Sequence, residues 1–407
     1  MCADPRPQAA PSGPLAGLRI LDLSSVILGP YATMILGDLG ADVIKVEAPA
    51  GDTARYVNPG RHRGMSGTAV NLHRNKRSIV LDLKAPEGRA ALLRLAATAD
   101  AVFHNIRPQA MARLGLAYAD FKAVKPDIVH CVATGFGGDG PYAGQPAYDD
   151  LIQGASGIAA LVARRHGRPD FYPGTICDKV TALTAVYALI AGLLHRERTG
   201  EGQDIEVPMF ETMVAFNFVE HVCDFVFDPP EGPFGYARML SPDRRPYETS
   251  DGYLCMLPYT DAQWRAFFAI VGKPALIEDP RFASLTDRTT NVNALYALLA
   301  EEVKRRPTAE WLALCHQHQI PAFPVIEPED LQADPHLQAC GFFEQRQHPS
   351  EGDYLAPGVP VRFSASPGGI TADAPRLGQH TREILEEAGL RSDEIDALLQ
   401  RKVARET

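Results

Sequence analysis

Asp178, in the segment TICDKVTA, is a carboxylate set at the start of a strong helical pattern. Such a residue can cap the helix by accepting a backbone N–H. It can also act as a nucleophile that carries an acyl group covalently. Residue type and spacing leave both open. Cys177 stands beside it, but a cysteine-dependent acyl transfer needs a base and an orienting group, and no such pair is evident. Cys177 is expected to be a small residue packed beside the site. His316 and His318 have HxH spacing, with Glu327 and Glu329 after a turn, which is a weak pattern for a metal. His348 and His380 read as structural or surface residues. The first strand–helix turn lacks GxGxxG, GFGGDGP does not have the Walker pattern, and no motif points to flavin, pyridoxal phosphate or haem.

The elements that must position these residues begin with strand candidates at LRILDLSS, ADVIKVEAP, RSIVLDL, DAVFHNI and DIVHCVATGF. Helical patterns at YATMILGDLG and EGRAALLRLAATA fall between them. This alternation predicts an α/β fold with a mostly parallel sheet covered by helices. Ligands then collect beyond the carboxyl ends of the strands, at Ser24–Pro30, Asn105–Pro108 and Thr134–Pro141. Val180–Leu194 is apolar on every side and is expected to be a buried helix, short of a membrane span. IEVPMFETMVAFNFVEHVCDFVF reads as a strand turning into a long apolar helix, and prolines and glycines at 229–235 mark a domain crossing. A hairpin around Asp251-Gly252 and three helical patterns place a smaller domain at 230–330. After it come a strand-like VPVRFS, a terminal helix TREILEEAGL and a short polar tail.

With 407 residues, the chain can hold two or three domains and a large core. Hydrophobic residues at 45% and charged residues at 22% exclude general disorder. The formal charge, 40 − 50 = −10, argues against a nucleic-acid backbone as partner, though a local basic pocket for an anionic ligand remains compatible. The first segment, MCADPRPQAAPSG, has no apolar signal core and reads as a short flexible lead-in. Seven cysteines without a CxxC pair or a disulfide framework suit a reducing cytoplasm, and no membrane partner is expected.

Taken together, the motifs resemble those of the family III CoA-transferases, a superfamily that includes formyl-CoA transferase, carnitine CoA-transferase and alpha-methylacyl-CoA racemase. The resemblance runs from about Pro14 to Leu399. It is carried by GPLAGLRILDLSSVILGPYATMILGDLGADVIKVEAPAGDTAR, NLHRNKRSIVLDLK, HNIRPQAMARLGL, PAYDDLIQGASG, GTICDKVTALTAVYALIAGLLHRERTGEGQDIEV, DPHLQA, HPSEG and PRLGQHTREIL. It implies a large, doubly wound, mostly parallel Rossmann-like domain over 14–229 that is completed by 331–407. A smaller α+β domain at 230–330 is inserted between them, and the chain would form an interlocked homodimer.

The resemblance also implies roles. Asp178 occupies the position of the catalytic aspartate, which forms an aspartyl-CoA thioester while CoA moves between an acyl-CoA and a small organic acid. Tyr148 and Gln153 are the polar candidates for stabilising the oxyanion, and Tyr148 could equally be a packed aromatic. Gly154 and Gly157 would let backbone and ligand pass closely. Val26, Leu28, Leu72, Asn75, Lys76, Asn105, Ile106 and Arg113 match the neighbourhoods that contact CoA. Arg107 is an added phosphate candidate, and Arg77 either joins it or fastens its strand through a carboxylate. Coenzyme A and acyl-CoA would be substrates, with no prosthetic group. The racemase branch has a histidine where this chain has Tyr148, a poor base at neutral pH, so racemisation is the runner-up. A non-catalytic CoA-binding protein and a thioester hydrolase are further alternatives. Formyl-CoA transferases carry a glutamine at the position of Ile27, so formyl transfer is disfavoured, and a dicarboxylic or other small acid is the expected substrate class. Arg238, Arg244 and Arg245 are candidates for meeting its carboxylate.

Overall fold

A computed structural model describes residues 12–407; the lead-in up to residue 11 lies outside them. The chain forms two compact units, one built from residues up to Ser156, Tyr172–Val214 and Pro335–Thr407, the other from Gly157–Phe171 and Ala215–Asp334.

The first unit is organised by six strands rich in valine, isoleucine and leucine. They are β1 (Arg19–Asp22), β2 (Asp42–Glu47), β3 (Lys76–Leu81), β4 (Ala101–His104), β5 (Val129–Thr134) and β6 (Asp204–Pro208). All five neighbouring pairs are parallel, in the spatial order 3-2-1-4-5-6, and a seventh strand, Ala404–Arg405, runs antiparallel along β3. The connections reverse direction between β1 and β4. That topological switch opens a crevice at the carboxyl ends of these two strands, where doubly wound sheets bind ligands.

Helices cover both faces of this sheet. On one, Leu92, Leu95, Phe121, Ile384, Leu385, Ile395 and Leu398 pack onto Leu21, Ile44, Val46, Ile79 and Leu81. On the other lie the helices Leu28–Asp38 and Ile176–Thr199. Gly192 lets the second of these sit close, because a Cβ there would meet Ile205 Cδ1 at 2.6 Å and Val129 Cγ1 at 3.0 Å. Only one side of the 24-residue helix is buried, whereas Leu183, Tyr187 and Leu194 on it are exposed. The expectation of a helix buried all round is therefore corrected: among the described residues nothing covers its second apolar side.

The second unit packs Trp264, Phe267, Phe268, Phe282, Tyr296 and Trp311 into its own core. The indole N–H of Trp311 donates to the Val303 carbonyl at 2.8 Å, which satisfies the one polar atom this ring buries. A three-stranded antiparallel sheet, with the turn at Asp251-Gly252 in its hairpin, lies against the helices Asp261–Ile270, Val292–Val303 and Thr308–Gln317.

Two readings of the carboxyl-terminal part change. VPVRFS is irregular, and the strands there are instead Phe343–His348 and Gly352–Pro357, an antiparallel hairpin. Pro360 removes a ladder donor from VPVRFS. The polar tail also folds: Ser392–Gln400 is a helix whose Ile395 and Leu398 enter the core, and Ala404–Arg405 extends the sheet.

Candidate active site

Asp178 is the third residue of the Ile176–Thr199 helix, whose N-cap position is Thr175. It is thus inside the first turn, and the capping reading is replaced by a different arrangement. The cap comes from across the site, where Asp149 Oδ2 accepts the Asp178 backbone N–H at 2.9 Å. Asp149 begins the helix Asp149–Ala155, and the carboxylate suits the unsatisfied N–H groups of the neighbouring helix. Its other oxygen, Oδ1, accepts from Gln153 Nε2 at 2.6 Å. Gln153 is fully buried and its Oε1 accepts the Tyr172 N–H at 2.8 Å, while Nε2 also approaches the Gly174 carbonyl at 3.3 Å. Asp149 and Gln153 together hold the loop that delivers Asp178.

The Asp178 side chain is only partly exposed, and among the described residues its carboxyl accepts no protein hydrogen bond. Burial, followed by the nearby Asp149 charge, pushes its pKa up to about 7, with Lys179 opposing weakly. A carboxylate in this state is poorly solvated and unpaired, which favours a nucleophile over a structural ion. Cys177 is buried, and burial followed by the charges of Asp149 and Asp178 pushes its thiol up to about 12. It remains protonated at neutral pH and packs as a small residue. Tyr148, at 70% exposure, is not a packed aromatic within this chain.

The switch-point crevice is built by two loops that clasp each other. The Ser25 N–H donates to Asn105 Oδ1 at 2.9 Å, and Asn105 Nδ2 returns to the Ser25 carbonyl at 2.9 Å. Val26 follows with φ of 72°, unusual for a β-branched residue, and its N–H donates to Asp52 Oδ1 at 2.9 Å. Strain of this kind persists only where surrounding contacts over-determine it, as at many ligand sites. Leu28 and Leu72 are buried beneath the loop, the latter packed with Ile27, Tyr31 and Met34. Ile106 is half-buried at the rim, while Arg107 and Arg113 are exposed there without a carboxylate partner among the described residues.

An unpaired aspartate in the first turn of a helix does not by itself identify a reaction, and comparison with known proteins narrows it. The family described as CoA-transferase family III matches residues 15–381. The chain belongs to that family. As a family III CoA-transferase it moves CoA between an acyl-CoA and an organic acid, and CoA enters as a substrate. Succinate–glutarate CoA-transferase of Agrobacterium fabrum is 34% identical to it over 386 residues, covering 92% of this chain and 95% of that protein. Succinyl-CoA:glutarate CoA-transferase of Mus musculus is 35% identical, covering 95% and 89%. Among solved structures, an aspartate-to-alanine mutant of a Mycobacterium tuberculosis protein superposes with a TM-score of 0.81 at 27% identity, covering 92% of this chain and 99% of the other.

In this CoA-transferase several of the sequence candidates carry the fold. Lys76 is fully buried and spends its ammonium on Asp22 Oδ2 at 3.1 Å, the Pro30 carbonyl at 3.0 Å and Thr33 Oγ1 at 2.7 Å. Burial lowers its pKa to about 8 against the attraction of Asp22. All three donors are used, so none is left for a phosphate. Asn75, with φ of 57°, donates to Asp38 Oδ1 and the Gly369 carbonyl, both at 2.8 Å, and accepts from the N–H groups of Thr371 and Ala372. It latches the returning carboxyl-terminal segment. Arg77 binds Asp42, Glu383 and Glu387, which settles its two readings in favour of fastening the strand.

In the second unit, Arg238 donates to the Tyr296 hydroxyl at 3.2 Å and stacks over Tyr259; the Arg244 carbonyl accepts from Arg165, and Arg245 pairs with Asp243 at 3.4 Å. Gly157 has φ of 91°, where a side chain would be strained, and Gly154 faces open space. His316 and His318 are exposed, and no group of metal-ligating side chains occurs among the described residues.

The sequence reading did not find the polar lattice below the crevice. Lys45 is fully buried and lies 3.1 Å from Asp52 Oδ2 and 3.7 Å from Asp22 Oδ1, with the Ser24 carbonyl accepting as well. Lysine in a strand reads as a solvent-facing residue. Its signal would have been the even spacing of Lys45 and Glu47 with Val43 on one face of β2.

Proposed function

We propose that Asp178 is the covalent carrier of this CoA-transferase and that its acids are small dicarboxylates. The observation that carries the first part is an unpaired, partly buried carboxyl with a pKa near 7, held by a backbone cap in the family's aspartate position. The Asp178 carboxylate attacks the thioester carbonyl, the C–S bond breaks, and CoA leaves as thiolate from a mixed anhydride. The thiolate then attacks the aspartyl carbonyl, giving the aspartyl-CoA thioester and releasing the first acid. An incoming carboxylate repeats these steps in reverse, so thioester energy is conserved. Gln153, with both amide ends used inside the protein, is a positioning residue, whereas the exposed Tyr148 hydroxyl is free to reach an oxyanion.

CoA runs over the switch-point crevice, along Val26, Asn105 and Ile106, with Leu28 and Leu72 buried beneath as support and Arg107 and Arg113 meeting its phosphates. The dicarboxylate class is supported by the activities for which the two relatives are named. With succinyl-CoA as donor, glutarate should exceed valerate, its five-carbon monocarboxylate counterpart, at least tenfold in kcat/KM. Equal values for the pair would remove the dicarboxylate part of the proposal.

A second copy of the chain would cover the apolar strip left by Leu183, Tyr187 and Leu194 together with Leu151. Such a contiguous exposed face is an interface signal. Light scattering should give about 88 kDa, twice 44.2 kDa; a monomer at micromolar concentration would refute the homodimer. The described cysteines are all free, which supports a cytoplasmic setting.

A further inference from the structure

Behind the CoA loop lies a polar chain that the transfer chemistry does not use. His104, the last residue of β4, and His130, on β5, are both almost completely buried, and their Nε2 atoms are 3.0 Å apart. His130 Nδ1 is 2.6 Å from Asp204 Oδ1 on β6, whose side chain is half exposed. At the other end, the backbone N–H of Ile106 donates to His104 Nδ1 at 3.2 Å. Tyr118 and Phe121 stack against the His130 ring, with centroids 5.8 and 5.7 Å away.

The hydrogen positions follow from one fixed donor. A backbone N–H can only donate, so His104 Nδ1 is an acceptor and carries no proton. Burial lowers the His104 pKa to about 3, so the ring is neutral and its single hydrogen is on Nε2. That hydrogen points at His130 Nε2, which must accept, leaving the His130 proton on Nδ1 facing the Asp204 carboxylate. A second proton on His130 would set two N–H groups against each other at 3.0 Å. The chain therefore runs one way, from the Ile106 N–H through two imidazoles to an anion at the protein surface, and each link selects the tautomer of the next.

We infer that Asp204, His130 and His104 are positioning residues that pre-organise the Asn105–Arg107 loop for CoA. The inference rests on the proposal that this loop contacts CoA. Asn105 clasps Ser25, so the orientation of the Ile106 peptide reaches both walls of the crevice. A loop ordered before binding has less entropy to lose on binding. Loss of the relay therefore weakens CoA and leaves the covalent steps at Asp178 intact.

The test uses the full-length enzyme and measures KM for acyl-CoA and kcat separately, together with the histidine ¹⁵N shifts. Asp204→Ala and His104→Phe should each raise KM about tenfold while kcat changes less than twofold. Asp204→Asn retains an oxygen that can accept from His130 Nδ1 and should restore KM to within about threefold of wild type. In the wild-type enzyme the two rings should show opposite neutral tautomers, Nε2–H for His104 and Nδ1–H for His130. Matching tautomers, or a loss confined to kcat, would overturn the relay. Asn105→Ala separates the two levels of the argument. A raised KM there with unchanged KM in the relay variants overturns the relay alone, and an unchanged KM in Asn105→Ala overturns the CoA loop beneath it.

Discussion

Asp178→Asn should reduce CoA transfer by about 10⁴-fold or more, the scale of losing a covalent nucleophile. The amide preserves the shape of the side chain, and the cap from Asp149 goes to the backbone N–H of residue 178, which the substitution leaves in place. Folding should therefore survive. The variant should be more stable than wild type at neutral pH, because the wild-type carboxyl ionises in a place where burial and Asp149 oppose its charge. In the folded state its pKa lies near 7 against an ordinary 3.8, so the native protein holds this proton more tightly than the unfolded chain. Wild-type stability attributable to this group falls as pH rises from about 4 through about 7. The difference in Tm between the variant and wild type should be near zero at pH 4, grow across that window and level off above it. Thermal melts at three pH values measure this, and a variant less stable at pH 8 would contradict the electrostatic account of the site.

The second large effect is the pH dependence of turnover. The nucleophile is the ionised form, so kcat/KM should rise about tenfold per pH unit below 7 and level off above it. Asp149→Asn removes the second cause of the raised pKa while its amide oxygen can still accept the Asp178 N–H. Its acidic limb should therefore lie at lower pH than that of wild type. A limb that stays in place would mean that another group sets the profile.

Much of the fold was legible because it depends on short-range patterns. The apolar runs of β1 to β5 and the period of the intervening helices follow from which side chains face the two layers. The hairpin at Asp251-Gly252 followed from turn chemistry. What was not legible depends on contacts between residues distant in the chain. Lys76 and Asn75 look like exposed polar residues beside a strand, yet Asp22 and Thr371 consume their donors and acceptors. VPVRFS has the composition of a strand but no partner, whereas the more polar Phe343–His348 pairs through the turn before Gly352.

The site divides in the same way. Asp178 was identifiable from its motif, and Gln153 was singled out for the oxyanion, but its buried amide secures Tyr172 and Asp149 instead. The roles of Asp149 as cap and as charge neighbour required the 2.9 Å contact across two helices. Prolines and glycines place the smaller domain at 230–330, whereas the second compact unit comprises Ala215–Asp334 and Gly157–Phe171, the latter a 15-residue excursion with no composition break to announce it.

Whether Asp178 itself carries CoA during transfer can be read from peptide-resolved mass spectrometry. The enzyme would be exposed briefly to succinyl-CoA, quenched in acid, digested and mapped. A CoA thioester should appear on the peptide containing Asp178, be absent from Asp178→Asn and be discharged by glutarate with formation of glutaryl-CoA. Consumption of succinyl-CoA with no adduct on that peptide, or an adduct that persists in Asp178→Asn, would contradict a covalent role for Asp178.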